Sequence, residues 1–151
     1  MENSDHSGRL IFRLMYRLRR HLDKWAVSHL AEMNSINFNL TYMPYFMNIG
    51  NDGISNLDLV NKIKVTKQGV GKIVKELEKL GLVSTEKSET DARSNMIYLT
   101  EEGRKFYDAV RQMTNDLTET YVDLIGKEEY NQFIDTFIKI SEWHEDQDKL
   151  Q

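Results

Sequence analysis

At 151 residues the chain fits one domain, or a small domain with helical extensions, and it can bury roughly two thirds of its unfolded surface, enough for a core without staples. It contains no cysteine, which excludes disulfides, thiolate metal sites and thiol-based redox sensing. The net charge of −4 counts against a nucleic-acid partner until its distribution is read: residues 9–30 carry +5, residues 55–95 carry +2 and residues 101–151 carry −7, so base and acid are segregated along the chain.

No apolar run approaches the roughly 20 residues that span a bilayer. The N-terminus, MENSDHSGRL, lacks the apolar region of a signal peptide, and a cytoplasmic protein is expected. A long helix is predicted from Leu10. Ile11, Met15, Leu18, Leu22, Trp25 and His29 follow an a/d-like spacing, widened by Leu10, Leu14 and Ala26. So broad a stripe needs more partner surface than a small domain offers, and it reads as part of a helical dimerisation layer. Arg9, Arg13, Arg17, Arg20 and Lys24 fall on an opposite face. That face reads more simply as a solvated surface pairing with the acidic C-terminal helices than as a nucleic-acid contact.

Residues 35–39 read as a loop. Thr41 is the expected N-cap of a short aromatic helix over about 42–48, with Pro44 tolerated in its first turn. Asn48–Gly53 has turn chemistry, and Ile54 suits a short strand. Ser55 and Asp58 form a capping pattern before a short helix whose Leu59, Val60 and Ile63 face inward. After a three-residue turn Thr66 caps the next helix, whose Val70, Ile73, Val74, Leu77 and Leu80 share one face. Lys67, Gln68, Lys72, Lys75 and Lys79 lie on the other. Gly81 stands where a helix end takes a left-handed residue. Leu82–Glu86 and Asn95–Leu99 alternate as two strands around a polar loop. Thr100 caps a further helix, with Glu101 and Glu102 suited to its positive end and a seam from Phe106 to Leu124. Gly126 breaks it, and Tyr130, Phe133, Ile134, Phe137 and Ile140 mark a last helix.

Helix, tight turn, basic helix and hairpin make a winged helix-turn-helix. The chain resembles the MarR-type transcriptional regulators over about residues 9–144. The resemblance rests on LDLVNKIKVTKQGVGKIVKELEKLGLV, on Asp91-Ala92-Arg93 in the hairpin, and on Leu99-Thr100-Glu101-Glu102-Gly103 after it. One departure is Lys64, at a turn position where that family usually has Gly; a non-Gly residue there carries backbone strain. The expected fold is mainly α with a small β-hairpin wing, an α+β winged helix-turn-helix plus a helical dimerisation layer. Residues 37–100 are expected to form the DNA-binding domain, and residues 1–36 and 101–151 the dimerisation region.

In such a unit the N-terminus of the basic helix enters the major groove. Thr66, Lys67 and Gln68 lie at that end, with Gly71 and Lys72 one turn on. Gln68 suits adenine N6/N7, Lys67 or Lys72 guanine N7/O6, and Lys75 and Lys79 the phosphates. Gly69 and Gly71 each weaken the helix by roughly 0.5–1 kcal/mol relative to Ala. For Gly71, on the outer face, closer approach to DNA is the expected reason. Arg93 is the expected minor-groove residue of the wing. Asp91, an anion that would repel phosphate, is expected to brace it.

The resemblance implies a homodimer on an inverted repeat, a double-stranded DNA partner, a repressor's mode of action, and a small, often aromatic effector. Trp25, His29, Phe38, Tyr42 and Phe46 are the candidates to line an effector pocket, although aromatics at helical spacing are more simply core. His6, His21, His29 and His144 show no metal-ligand spacing, and neither cofactor nor metal is expected. No phosphate loop, nucleophile elbow or zinc helix points to an enzyme. The alternative is a winged helix used architecturally on DNA or for protein interaction.

Overall fold

The computed structural model describes residues 10–33, 37–90 and 95–151. Its elements in chain order are α1 (Ile11–Met33), a single 3-10 turn (Leu40–Tyr42), α2 (Met43–Phe46), β1 (Ile54–Ser55), α3 (Asn56–Ile63), α4 (Lys67–Lys79), β2 (Val83–Lys87), β3 (Asn95–Leu99), α5 (Glu101–Ile125) and α6 (Lys127–Lys149). The chain divides into two compact units, one ending at Val110 and the other running from Arg111 to Gln151. Among the described residues no helix is long and apolar enough to cross a membrane.

In the first unit the core gathers Phe46, Leu59, Val70, Leu77, Leu82, Ile97 and Val110, all essentially inaccessible to solvent. All but Leu82, which lies between α4 and β2, come from apolar positions of a helix or strand that face inward. The sheet is antiparallel with the order β1-β3-β2, so β3 is central. Ile54 stands opposite Ile97, Val83 opposite Leu99, Thr85 opposite Ile97, and Lys87 opposite Asn95. Gly53 makes the β1 pairing feasible. It has φ +77°, and a Cβ there would lie 2.5 Å from the Tyr98 ring and 2.8 Å from the Ile97 carbonyl oxygen.

Two boundaries differ from expectation. The aromatic helix expected over 42–48 with Thr41 as its cap is only the four-residue α2, preceded by the 3-10 turn. The capping side chain is Asn39, whose Oδ1 accepts from the Thr41 N–H at 2.9 Å and the Thr41 hydroxyl at 2.8 Å. The Asn48 amide donates to the Pro44 carbonyl at 2.6 Å, closing the segment into a turn. The second difference is at β2, which starts at Val83 rather than Leu82. Leu82 is occupied in ending α4: its N–H donates to the Leu77 carbonyl at 3.1 Å, and the Gly81 N–H donates to Glu78 at 2.9 Å. With Gly81 at φ +74°, this is the paired-bond helix ending that a left-handed Gly permits.

The start of α5 is fastened to the same place. The Thr100 hydroxyl accepts from the Gly103 N–H at 3.0 Å and donates to the Gly81 carbonyl at 2.6 Å, while the Thr100 N–H donates to the Leu82 carbonyl at 3.0 Å. A Cβ on Gly103 would overlap that same Leu82 carbonyl oxygen. The Thr-x-x-Gly motif is thus a close backbone crossing. Lys105 lies 3.2 Å from Glu102 and 3.5 Å from Glu101, and its hydrogen bond and attraction to Glu102, then Glu101, raise its pKa above the usual lysine value.

The second unit holds the C-terminal part of α5 and α6, joined at Gly126, whose φ is +87°. The Tyr121 and Tyr130 ring centroids are 6.5 Å apart, and those of Phe133 and Phe137 are 6.0 Å apart. α6 buries no residue: Phe133, Phe137, Ile140 and Trp143 remain exposed.

Candidate nucleic-acid interface

The helix-turn-helix is set by two caps. Ser55 accepts from the Asp58 N–H at 3.0 Å and starts α3. Lys64 ends it in the left-handed conformation, φ 53° and ψ 48°, with its N–H on the Val60 carbonyl. A lysine here costs more than the glycine that the turn would accept without strain. Thr66, in extended geometry, then accepts from the Gly69 N–H at 3.0 Å and starts α4.

Orientation of α4 follows from its apolar stripe. Val70, Val74 and Leu77 are buried, which turns the other face outward. Thr66, Lys67, Gln68, Gly71, Lys72 and Lys75 are all exposed there. The structure therefore brings these six residues that the sequence singles out for DNA together on one surface. The two glycines differ. A Cβ on Gly69 would sit 3.1 Å from Thr66 Oγ1, so this glycine serves the cap. A Cβ on Gly71 would meet nothing within 4 Å, so its absence leaves the outer surface open and answers no internal need. Lys79, expected to reach phosphate, lies 2.9 Å from Glu76 in an exposed ion pair.

The hairpin β2–β3 flanks α4. Asp91 and Arg93 lie outside the described residues. At the hairpin's outer end the Asn95 N–H reaches Asn56 Oδ1 at 3.3 Å, and the Thr85 hydroxyl donates to Glu78 Oε1 at 2.7 Å. Sequence reasoning missed these contacts, and Gly103 as a crossing point. A glycine in the first turn of a helix, where Ala would be favoured, was the available signal for the crossing. Nothing in local periodicity pairs Glu78 with Thr85.

The five aromatic candidates for an effector pocket fall into two groups. Trp25 and His29 stack with centroids 4.3 Å apart, and His29 Nδ1 lies 2.9 Å from the Trp25 carbonyl oxygen, its own helix's backbone. Phe38, Tyr42 and Phe46 form the second, joined by Phe106 and Tyr107 at 4.9–6.0 Å. Phe46 is wholly buried in the core. Phe38 also borders a hollow of about 200 Å³ with Val27, Leu30, Ala31 and Asn37. On α1, Arg13, Arg17, Arg20 and Lys24 are exposed, and Arg19 pairs with Asp23 at 2.7 Å. Among the described residues no group of His, Cys, Asp or Glu is placed to hold a metal ion.

Residues 37–94 match the MarR family model. No curated protein matches the sequence. Among solved structures, a MarR protein from Peptoclostridium difficile superposes with a TM-score of 0.77 at 22% identity, covering 91% of this chain and 88% of that one. FabT of Streptococcus pneumoniae, in complex with DNA, gives 0.72 at 18% identity, covering 89% and 96%. The PcaV transcriptional regulator of Streptomyces coelicolor, in complex with its natural ligand, gives 0.71 at 15%, covering 94% and 98%. At these identities the likeness to each is one of fold. The family model spans the turn, α4 and β2, and the fold that this chain shares with these MarR regulators extends to the surrounding helices.

Proposed function

We propose that the protein is a sequence-specific DNA-binding transcriptional regulator, acting in the cytoplasm as a homodimeric repressor on an inverted-repeat operator. The observation that carries this reading is the outward face of α4: a capped helix N-terminus presenting Thr66, Lys67, Gln68, Gly71, Lys72 and Lys75, with a hairpin beside it. Residues 37–100 form the DNA-binding domain in this reading, and residues 1–36 with 101–151 the dimerisation region. Gln68 and Lys67 or Lys72 read base edges, Lys75 holds phosphate, and Arg93, braced by Asp91, enters the flanking minor groove. The DNA complex of FabT supports the choice of ligand. The exposed apolar residues of α1 and α6 support a second copy as partner. Two units then engage successive major-groove faces, about 34–36 Å apart. In this reading a dimer seated across a promoter represses by blocking polymerase.

A small aromatic effector is part of the reading. It has the ligand complex of PcaV and the Phe38 hollow behind it. Such a ligand loosens DNA only through its difference in affinity between the two states. No enzymatic step enters.

The test is a binding selection on fragmented genomic DNA at about 150 mM salt, where nonspecific attraction is weakened. The parent is expected to enrich one inverted repeat. Gln68→Ala is expected to lose about 1–3 kcal/mol of discrimination at one base pair. Arg93→Ala is expected to weaken binding and lower the salt slope by about one unit or less. No enriched sequence would leave an architectural or protein-binding role, and an unchanged Arg93→Ala protein would remove the wing from the account.

A further inference from the structure

The hairpin is well packed at its root and sparsely held beyond it. On β2, Val83, Thr85 and Lys87 share a face, opposite Leu99, Ile97 and Asn95. Val83 and Leu99 are both buried, but every later residue of β2 is exposed. Beneath the Thr85–Ile97 pair lies a hollow of about 240 Å³, bordered by Val70, Val74, Lys75 and Glu78 of α4, where close packing would otherwise fix the angle between helix and hairpin. The sheet order leaves β2 an edge strand, and β1 supports only β3, through two residue pairs. The 3.3 Å Asn95–Asn56 bond is long for an N–H donor. Among the described residues, a short bond joins the hairpin to α4, from the Thr85 hydroxyl to Glu78 Oε1 at 2.7 Å. It spans the hollow and joins α4 directly to the edge strand. It also holds a carboxylate that would otherwise be free to swing among lysines facing phosphate; the other α4 carboxylate, Glu76, is taken by Lys79.

We propose that Glu78 is a positioning residue for DNA binding: through the Thr85 hydroxyl it sets the pitch of the β2–β3 hairpin against α4, and so fixes where the wing meets the duplex. This rests on the DNA-binding reading above. The bond is exposed and contributes little to folding stability, so its loss acts on the angle and leaves the fold standing.

The experiment uses the full-length protein and the duplex that the parent enriches. Thr85→Val keeps the strand's shape and removes the donor; Thr85→Ser keeps the donor. Thr85→Val is expected to bind about threefold to tenfold more weakly, the ordering cost that a loosened wing adds to binding. It should unfold at the parent's temperature and lose hydroxyl-radical protection in the flanking minor groove, while methylation protection of major-groove guanines persists. Thr85→Ser is expected to restore both affinity and footprint. Glu78→Ala combined with Thr85→Val is expected to bind no more weakly than either alone, since both remove one bond. A Thr85→Val protein with parental affinity and footprint overturns the inference, as does failure of Thr85→Ser to restore them. If the parent enriches no duplex, the DNA-binding reading falls and this inference with it; if only the Thr85 series is silent, the reading stands without it.

Discussion

Lys64 shows how a single backbone angle can be at odds with its side chain. At φ 53° its Cβ crowds the following carbonyl, at a cost of roughly 1–2 kcal/mol. Glycine would remove that strain but would give the unfolded chain more freedom, worth about 0.4–1 kcal/mol in the other direction. Lys64→Gly is therefore expected to stabilise the protein by roughly 0.5 kcal/mol, read as a raised urea midpoint at unchanged slope. A lowered midpoint would mean that the lysine side chain contributes more than its backbone costs. Thr66 and Thr100 are simpler: each hydroxyl accepts from the backbone N–H three residues on, and each was recognisable from the sequence because a β-region threonine before a helical pattern has few other uses.

At the scale of elements, α4 trades helix stability for an open surface. Gly71 sits in mid-helix with free space outside it, so alanine fits without displacement. Gly71→Ala is expected to stabilise the fold by about 0.5–1 kcal/mol and to weaken DNA binding, because the added methyl holds the backbone off the duplex. Thermal melts and DNA titrations of one preparation check both signs. Stabilisation with unchanged affinity would discard close approach as the reason for Gly71. The elements themselves were largely legible. The 3.6-residue period of Val70, Val74 and Leu77 places α4, and the residues it leaves outside are the proposed DNA contacts. What was not legible depended on contacts between distant segments. Leu82 alternates with its neighbours as a strand residue does, but its N–H goes back to Leu77. The aromatic run at 42–48 has the composition of one helix, but the Asn39 side chain captures the Thr41 N–H just before it and the Asn48 side chain captures the Pro44 carbonyl within it. The five aromatics proposed for a pocket were chosen by type, and type does not distinguish Phe46 in the core from Phe38 at a hollow's edge.

At the scale of the molecule, large apolar side chains on α1 and α6 are left in water by a single chain. Ile11 is 58% exposed, Met15 43% and Phe137 41%. Burying the exposed part of each such side chain in the proposed dimer recovers about half of the roughly 1.5–3 kcal/mol that full burial is worth, and a two-fold interface counts each residue twice. Met15→Glu and Phe137→Glu are each expected to shift the protein towards monomer in sedimentation velocity and to weaken operator binding in step. A dimer unperturbed by Met15→Glu would take α1 out of the interface. The close crossing at Leu82 has a consequence for how such a chain can change length over evolution. One carbonyl oxygen receives the Thr100 N–H and lies against Gly103, while the same residue's N–H closes α4. The two ends of the segment between them are thus pinned at a single residue, and an added or deleted residue near either end would unfasten both helices. Tolerance for insertion is pushed outward to the connection between Lys87 and Asn95, which makes the wing's reach along DNA the dimension most open to variation while the helix beside it keeps its seat.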